Sequence, residues 1–569
     1  SIARLSRGGY GDNLTTGREN YNKDVWAGRM SFEMGGYGEP VFLRITGDYT
    51  KDESNPRGGH RLIPGLMSGA PVLDNVFDTR GGLVDPEQDV ESIGTALHAE
   101  IEFSEALTFR SISAWRRDDS YTPIDFDALP AVDVDVPGAY FNEQLSQEFQ
   151  LLWDDGGPLT GLIGAYYLDA QADTLFDVRL FTSFAGLTAF TSAEVDTETY
   201  AIFGDFAFDV TDQLSLSLGG RYTWDERSAD ILRQIYLGGG SPFFGGAGAR
   251  FGGPSTDFSG SAEFEKFTPR ASISFMPTPD HNIYASFSKG FKGGGFDPRG
   301  VGTNAPDLNG DGVRSDDEVA AFLSFAPEEV DSYEVGYKSS LMGGRVNVAL
   351  AGFYADYTDV QIPGSVACTV SGLPSFCGVV SNAGKATFKG FEFEGSARLG
   401  AGINLAASLG WIDAEYDEYI TNIGGVPTDV ADFREVQNTP EWTASGTASY
   451  TTPLGAGDLY LGTTGSYRSK TFQFEIPKPF LDQDGYVLVD ASVVYTSPGD
   501  RWSLGLYGKN LTDEEYKTSG YTFVRADPVT GAIINGTNGL PAPALGREGT
   551  LTAFYGNPRQ VFVTATFKY

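Results

Sequence analysis

Hydrophobic residues recur at every second position over long stretches of this chain. Leu214, Leu216, Leu218, Tyr222 and Trp224 fall on one face of a segment, and Ser215, Ser217, Gly219, Arg221, Thr223 and Asp225 fall on the other. The segment before it repeats the pattern, with Tyr200, Ile202, Phe206, Phe208 and Val210 against Ala201, Asp205, Ala207 and Asp209. Towards the end, Val487, Val489, Val493 and Tyr495, then Trp502, Leu504 and Leu506, then Val561, Val563, Phe567 and Tyr569 alternate with polar or small residues. A period of two predicts β-strands with one greasy and one polar face, not helices. The predicted strands run roughly 11 to 16 residues, against about five or six in ordinary globular sheets.

The connections alternate as regularly as the side chains. Short turns stand at 35–40, 104–106, 154–159, 211–213, 278–280, 342–344, 400–402, 453–457 and 498–500. Long polar segments lie between them at 51–89, 118–140, 228–262, 292–326, 359–384, 417–439 and 517–556, with shorter ones at 9–23, 173–194 and 471–484. Tryptophans 115, 153, 224, 411, 442 and 502 cluster near strand ends. Short turns on one rim, long loops on the other and aromatic girdles predict an all-β, transmembrane antiparallel β-barrel of about 20 strands over residues 1–569. The short turns would be periplasmic and the long loops extracellular. A barrel this wide cannot fill its lumen with its own strand side chains, so it is either an open pore or a plugged one.

Composition narrows the function. The 569 residues carry a formal net charge of −36, which argues against nucleic acid as a partner. Glycine numbers 73, roughly twice average usage, yet aromatics reach 13%, too many for a disordered acidic chain. No run of about 20 apolar residues exists, so no transmembrane helix is predicted. The chain opens without a signal peptide, which suggests a mature or trimmed start. With three histidines and two cysteines and no nucleophile–base motif, no enzyme and no organic cofactor are expected.

One metal motif stands out. Residues 307–318, DLNGDGVRSDDE, satisfy the spacing of an EF-hand calcium loop. Asp307, Asn309 and Asp311 would give side-chain oxygens, Val313 a carbonyl, Ser315 a direct or water-mediated contact, and Glu318 two oxygens to Ca2+. Gly- and Pro-rich sequence precedes the loop and a short helix is predicted after it, so it reads as half an EF-hand. Its role is open between rigidifying a loop and contacting a ligand. Cys368 and Cys377 are predicted to form a disulfide closing a small loop. Lys289, Lys292 and Arg299 flank three consecutive glycines; they would hold an anionic ligand or pair at the rim with lipid phosphates and neighbouring acids. Phe243 and Phe244, in a Gly-rich loop, would contact a substrate or pack over the mouth. Asp205, Asp209, Asp490, Glu392 and Glu394 would line the lumen.

Several stretches carry a resemblance: YASFSKGFKGGGFD (284–297), PEEVDSYEVGYKSSL (327–341), GGRVNVALAGFYADYTDVQI (343–362), NAGKATFKGFEFE (382–394), GYVLVDASVVYTSPGDRWSLGLYGKNLTDEEY (485–516) and the terminal YGNPRQVFVTATFKY. In this order they resemble the barrel of TonB-dependent outer-membrane receptors, in particular the branch common in alphaproteobacteria. The resemblance implies a 22-stranded barrel in the bacterial outer membrane with a plug inside it. It implies active uptake of a scarce solute, a ferric siderophore or other iron complex first, with cobalamin, a sugar or an aromatic compound as alternatives. The implied partners are the TonB–ExbB–ExbD complex acting through the plug, outer-membrane lipid and lipopolysaccharide, the small-molecule substrate and a surface lipoprotein. Residues 1–9 resemble the family's third strand, so a plug and two strands are expected ahead of residue 1. A passive porin is the competing class.

Overall fold

The computed structural model describes residues 1–568 apart from 37–38, 185, 383 and 424–425. Twenty strands form one continuous antiparallel wall. They are β1 (Ile2–Arg7), β2 (Lys23–Met34), β3 (Val41–Asp52), β4 (Asp89–Ser104), β5 (Leu107–Asp125), β6 (Asp135–Asp154), β7 (Leu159–Arg179), β8 (Thr188–Thr211), β9 (Leu214–Leu237) and β10 (Thr256–Thr278). There follow β11 (His281–Lys292), β12 (Glu328–Leu341), β13 (Val346–Thr358), β14 (Gly384–Gly400), β15 (Ile403–Ile423), β16 (Trp442–Leu454), β17 (Gly457–Arg468), β18 (Tyr486–Thr496), β19 (Trp502–Lys509) and β20 (Gln560–Phe567). Each pairs with the next in sequence. Two short pieces, Ala249–Arg250 and Val426–Asp429, pair onto the outer ends of β9 and β15 and bring the sheet to 22 strands.

The sheet curls until its ends meet at the loop rim. Gln560, opening β20, donates to the hydroxyl of Tyr10 in the loop after β1. The Tyr21 hydroxyl accepts from the Tyr555 amide at 3.0 Å. No main-chain ladder joins β1 to β20 among the described residues.

Eight of the nine short turns fall where the sequence places them; the ninth, 35–40, includes residues 37–38, outside the described residues. The greasy faces also fall as expected: Tyr200, Ile202, Phe206, Phe208, Leu218, Trp224, Val487, Val493, Trp502, Leu504, Leu506, Val561, Val563 and Phe567 are exposed on the outer surface. The polar face carries charge pairs between adjacent strands and across an intervening one. Arg270 reaches Asp205 at 2.9 Å, Arg116 reaches Asp48 at 3.0 Å and Lys509 reaches Asp490 at 2.6 Å. An apolar outside and an ion-paired inside are what hydrocarbon on one side and a wet lumen on the other demand. No helix among the described residues is long and apolar enough to cross a membrane.

Two expectations need correction. Strands are longer than predicted: β8 and β9 each hold 24 residues, about 80 Å at strand rise, whereas a crossing takes about 9–11. Their outer halves stand clear of the bilayer and pack against loops, so both faces become buried, as at Arg233, Gln234, Ile235 and Tyr236. This burial erases the alternation, and 118–140, 173–194 and 228–262 therefore read as polar loops. Second, much of the predicted loop 359–384 is a regular hairpin, Gln361–Val370 paired with Leu373–Asn382.

Candidate functional site

The buried apolar residues sit at the loop end, where the connections fold into a cap over the barrel mouth. The largest cluster gathers Val134, Val136, Phe176, Leu180, Leu187, Ile235, Val301, Val370, Phe523 and Leu545 from six separate parts of the chain. A second packs Phe258 and Phe296 against Leu323. A third joins Ile63, Leu481 and Leu551, and a fourth joins Ile362, Tyr419 and Val430. A membrane barrel has no dry interior of its own, so this cap is the molecule's hydrophobic core.

Polar pins lock the cap together. Arg233, 2% exposed, donates to the carbonyl of Arg299, to the carbonyl of Phe376 at 2.7 Å and to the Thr191 hydroxyl at 3.2 Å. Arg61 donates to the carbonyls of Asp127, Glu548 and Gly549 at 2.5, 2.8 and 2.9 Å. The Glu548 carboxylate accepts from the amides of Met67 and Ser68. The predicted disulfide is formed: Cys368 and Cys377 bridge the hairpin diagonally with Cα atoms 5.9 Å apart, and both cysteines pack into the largest cluster.

The remaining predicted site residues are placed as follows. In 307–318, Asp307 accepts from the amides of Gly310 and Gly312 at 2.7 and 2.9 Å, and Arg314 lies 3.4 Å from it. Asn309 accepts from the Asp311 amide, and Asp311 from the Val313 amide at 2.7 Å. Gly312 has φ 82°, the left-handed turn the motif needs. Ser315 caps helix α1 (Asp316–Leu323) and Glu318 closes a capping box. Glu318 also accepts from the Leu308 amide at 2.6 Å, and these main-chain donors hold its carboxyl below the usual range. Asp307, Asp311 and Glu318 do not converge as a group.

Arg299 is clamped in two-point fashion on Asp297 at 2.9 and 3.0 Å. Lys289 pairs with Glu329 at 2.7 Å, and exposed Lys292 ends β11. Phe243 is exposed and meets Phe244 edge to face at 5.0 Å and Phe190 at a tilt at 6.1 Å. The Arg299 carbonyl accepts from the Gly378 amide of the disulfide hairpin at 3.1 Å, and the Lys292 carbonyl from the hairpin's Gln361 side chain at 3.5 Å.

Sequence reading missed a buried acidic group. Asp125, Asp127 and Asp135, at the tip of the β5–β6 hairpin, bring one oxygen each within 4.8 Å of the others. Burial and the charges of Asp125 and Asp135 push the Asp127 carboxyl well up. The signal was the pair of D-x-D runs in DFDALPAVDVD (125–135), concealed inside a segment read as a solvated loop.

Below the cap the lumen wall is polar and, on one side, lined by small residues. The hydroxyls of Ser408 and Ser445 meet at 2.8 Å and those of Thr447 and Thr464 at 2.9 Å. Ser408, Ser445 and Thr447, with Asn282, Lys338, Asn347 and Glu394, border a recess of about 630 Å³ near the short-turn rim.

The family described as TonB dependent receptor-like, beta-barrel matches residues 26–511. The chain belongs to this TonB-dependent receptor family. Its place is therefore the bacterial outer membrane, and its relatives are transport receptors rather than enzymes. Among similar proteins, the metal-pseudopaline receptor CntO of Pseudomonas aeruginosa is 28% identical over 267 residues, 46% of this chain and 31% of that one. The ferrichrome outer membrane transporter/phage receptor of Escherichia coli is 26% identical over 370 residues, 63% of this chain and 36% of that one. This TonB-dependent receptor barrel thus spans about a third of the length of the curated relatives it matches. The ferric yersiniabactin uptake receptor FyuA of Yersinia pestis superposes with a TM-score of 0.73 at 17% identity, covering 99% of this chain and 74% of that one.

Proposed function

We propose that the protein takes up a scarce solute across the outer membrane, a ferric siderophore or another metal chelate, with energy delivered through TonB. The observation that carries this reading is the family match over 26–511, laid on a wide polar lumen beneath a loop cap with its own packed core. The relatives named for ferrichrome, yersiniabactin and metal-pseudopaline support a metal chelate as cargo. A cap welded at four clusters suits a receptor that must present a fixed surface before release inward. Exposed Phe243 and half-buried Phe244 offer that surface apolar contact area for the organic part of a chelate. The expected plug would stop the lumen, and the TonB–ExbB–ExbD complex would act on it.

Loop 307–318 is proposed to bind Ca2+ through Asp307, Asn309, Asp311, the Val313 carbonyl, Ser315 and Glu318 and so to stiffen this part of the cap. Rigidifying is favoured over ligand contact because one loop supplies the whole ligand set.

The test is a cargo screen. A strain whose own metal-chelate receptors are deleted, expressing this protein, is supplied with single ferric siderophores as the only iron source. Growth on one or a few chelates supports the reading. Growth on none, with growth restored on a single cobalamin, sugar or aromatic compound, moves the cargo to that class.

A further inference from the structure

The acidic group at the tip of the β5–β6 hairpin has the makings of a cation site. Asp125 and Asp135 are the last register pair of the hairpin, so their side chains leave neighbouring backbones at one level. Asp127 follows two residues later. Asp127 is 0% and Asp135 1% exposed.

Their hydrogen bonds are unequal. Asp125 accepts from the amides of Ala128 at 2.7 Å and Leu83 at 3.2 Å. Asp127 accepts from Leu129 at 2.9 Å, Asp133 at 3.2 Å and Val134 at 2.6 Å. Asp135 presents a fully buried Oδ1 that has no hydrogen-bond partner. Buried carboxylate oxygens are normally satisfied, and an orphan inside a carboxylate cluster marks a place where something else binds.

Among the described residues no protein cation hydrogen-bonds that oxygen. Arg61 spends its donors on the carbonyls of Ile63, Asp127, Glu548 and Gly549 rather than on carboxylates. Arg179, opposite Asp135 in register, bonds Asp177 at 3.3 Å. Nearby Asp133 is already saturated by Thr182 and by the amides of Arg547 and Glu548.

We propose that Asp125, Asp127 and Asp135 together hold one Ca2+ ion. The spacing suits it: oxygens bound to one ion at about 2.3–2.6 Å lie at most about 5 Å apart, and these three lie within 4.8 Å. Mg2+ binds at about 2.0–2.1 Å and keeps its waters, which fits a buried pocket poorly. Zn2+ favours sulfur and nitrogen ligands, and the group offers only oxygen. The remaining coordination positions fall to main-chain carbonyls or water. The ion would stitch the hairpin tip to the loop carrying Leu83. Through Asp127 and Arg61 it would reach the loop carrying Glu548. This site is separate from loop 307–318 and does not depend on the identity of the cargo.

The test is calcium content after equilibrium dialysis of the full chain in detergent against about 1 mM CaCl2, a concentration typical of extracellular sites. Asp135→Asn keeps the side-chain shape and removes the orphan charge. Asp135→Asn is expected to hold one Ca2+ per chain fewer than the parent, while Glu318→Gln keeps the ion lost in Asp135→Asn. If Asp135→Asn does not fold, Asp125→Asn, whose amide oxygen still accepts from Ala128, is expected to show the same one-ion loss. Equal calcium content in the parent and whichever of these variants folds overturns the proposal, because the three acids then hold protons instead of metal. So does a loss of one ion in Asp135→Asn that is not added to the loss in Glu318→Gln when the two substitutions are combined, which places that ion in the other loop.

Discussion

The guanidinium of Arg233 donates to the carbonyl of Phe376 at 2.7 Å, joining the outer end of β9 to the residue before Cys377. These two groups stand 143 positions apart in sequence, and their bond fixes the disulfide hairpin over the mouth. Removing the side chain strands the Phe376 and Arg299 carbonyls, at about 1–3 kcal/mol per unsatisfied group. Arg233→Met is expected to loosen the cap by about 2–4 kcal/mol while leaving the wall intact. Limited proteolysis should cut within 361–382 in the variant and spare the parent. Lysine is expected to rescue only partly, because a point charge cannot serve three acceptors in a fixed fork.

The disulfide should act on the same hairpin. In the chain-entropy account so small a loop gains at most about 3 kcal/mol. Cys368→Ser is expected to raise amide exchange across Leu373–Asn382 and leave exchange in β14 to β20 unchanged. Equal acceleration in those wall strands would mean the bridge supports the barrel and not just the cap.

The direction of side chains in the wall gives a sharp contrast. Leu218, 66% exposed on the outer face, lies midway between Leu214 at the short turn and Trp224 in the outer girdle. Leu218→Arg is expected to cost about 2–4 kcal/mol in bilayer unfolding, as for a cation near the midplane. Neighbouring Ser217→Arg, on the lumen face, is expected to cost less than about 1 kcal/mol.

Asp429 supplies a pH-dependent contact in the cap. Its carboxylate accepts from the amides of Tyr419 and Ala431 at 3.1 and 3.0 Å, and these bonds lower its pKa below the ordinary 3.8. An acid with a lowered folded-state pKa stabilises fully above its unfolded value and loses that contribution as pH falls through the folded one. Exchange protection of the Tyr419 and Ala431 amides is therefore expected to hold above about pH 4 and fall below it. Asp429→Asn should remove the step.

The wall was legible because hydrocarbon outside and water inside impose opposite chemistry on alternate residues. That contrast survives in Leu216 against Ser217 and in Leu504 against Ser503, and the tight turns between strands carry Gly, Pro and Asp. The cap was not legible. Where β9 leaves the bilayer, Arg233 to Tyr236 are buried together and the period disappears. The acidic group was hidden for a related reason: its surroundings include Arg61 and Glu548, 487 positions apart, and no local pattern announces their meeting. The cysteine pair could be read because a disulfide needs only two partners at a short separation. In loop 307–318 the spacing was visible, but the main-chain amides that now occupy Glu318 were not.

Accumulation of a radiolabelled ferric chelate by cells expressing this protein tests the proposed energised import most directly. Accumulation above the external concentration that stops when the proton gradient is collapsed is the predicted result. Entry that continues after collapse, and never exceeds the external concentration, would contradict the account and make the barrel a passive pore.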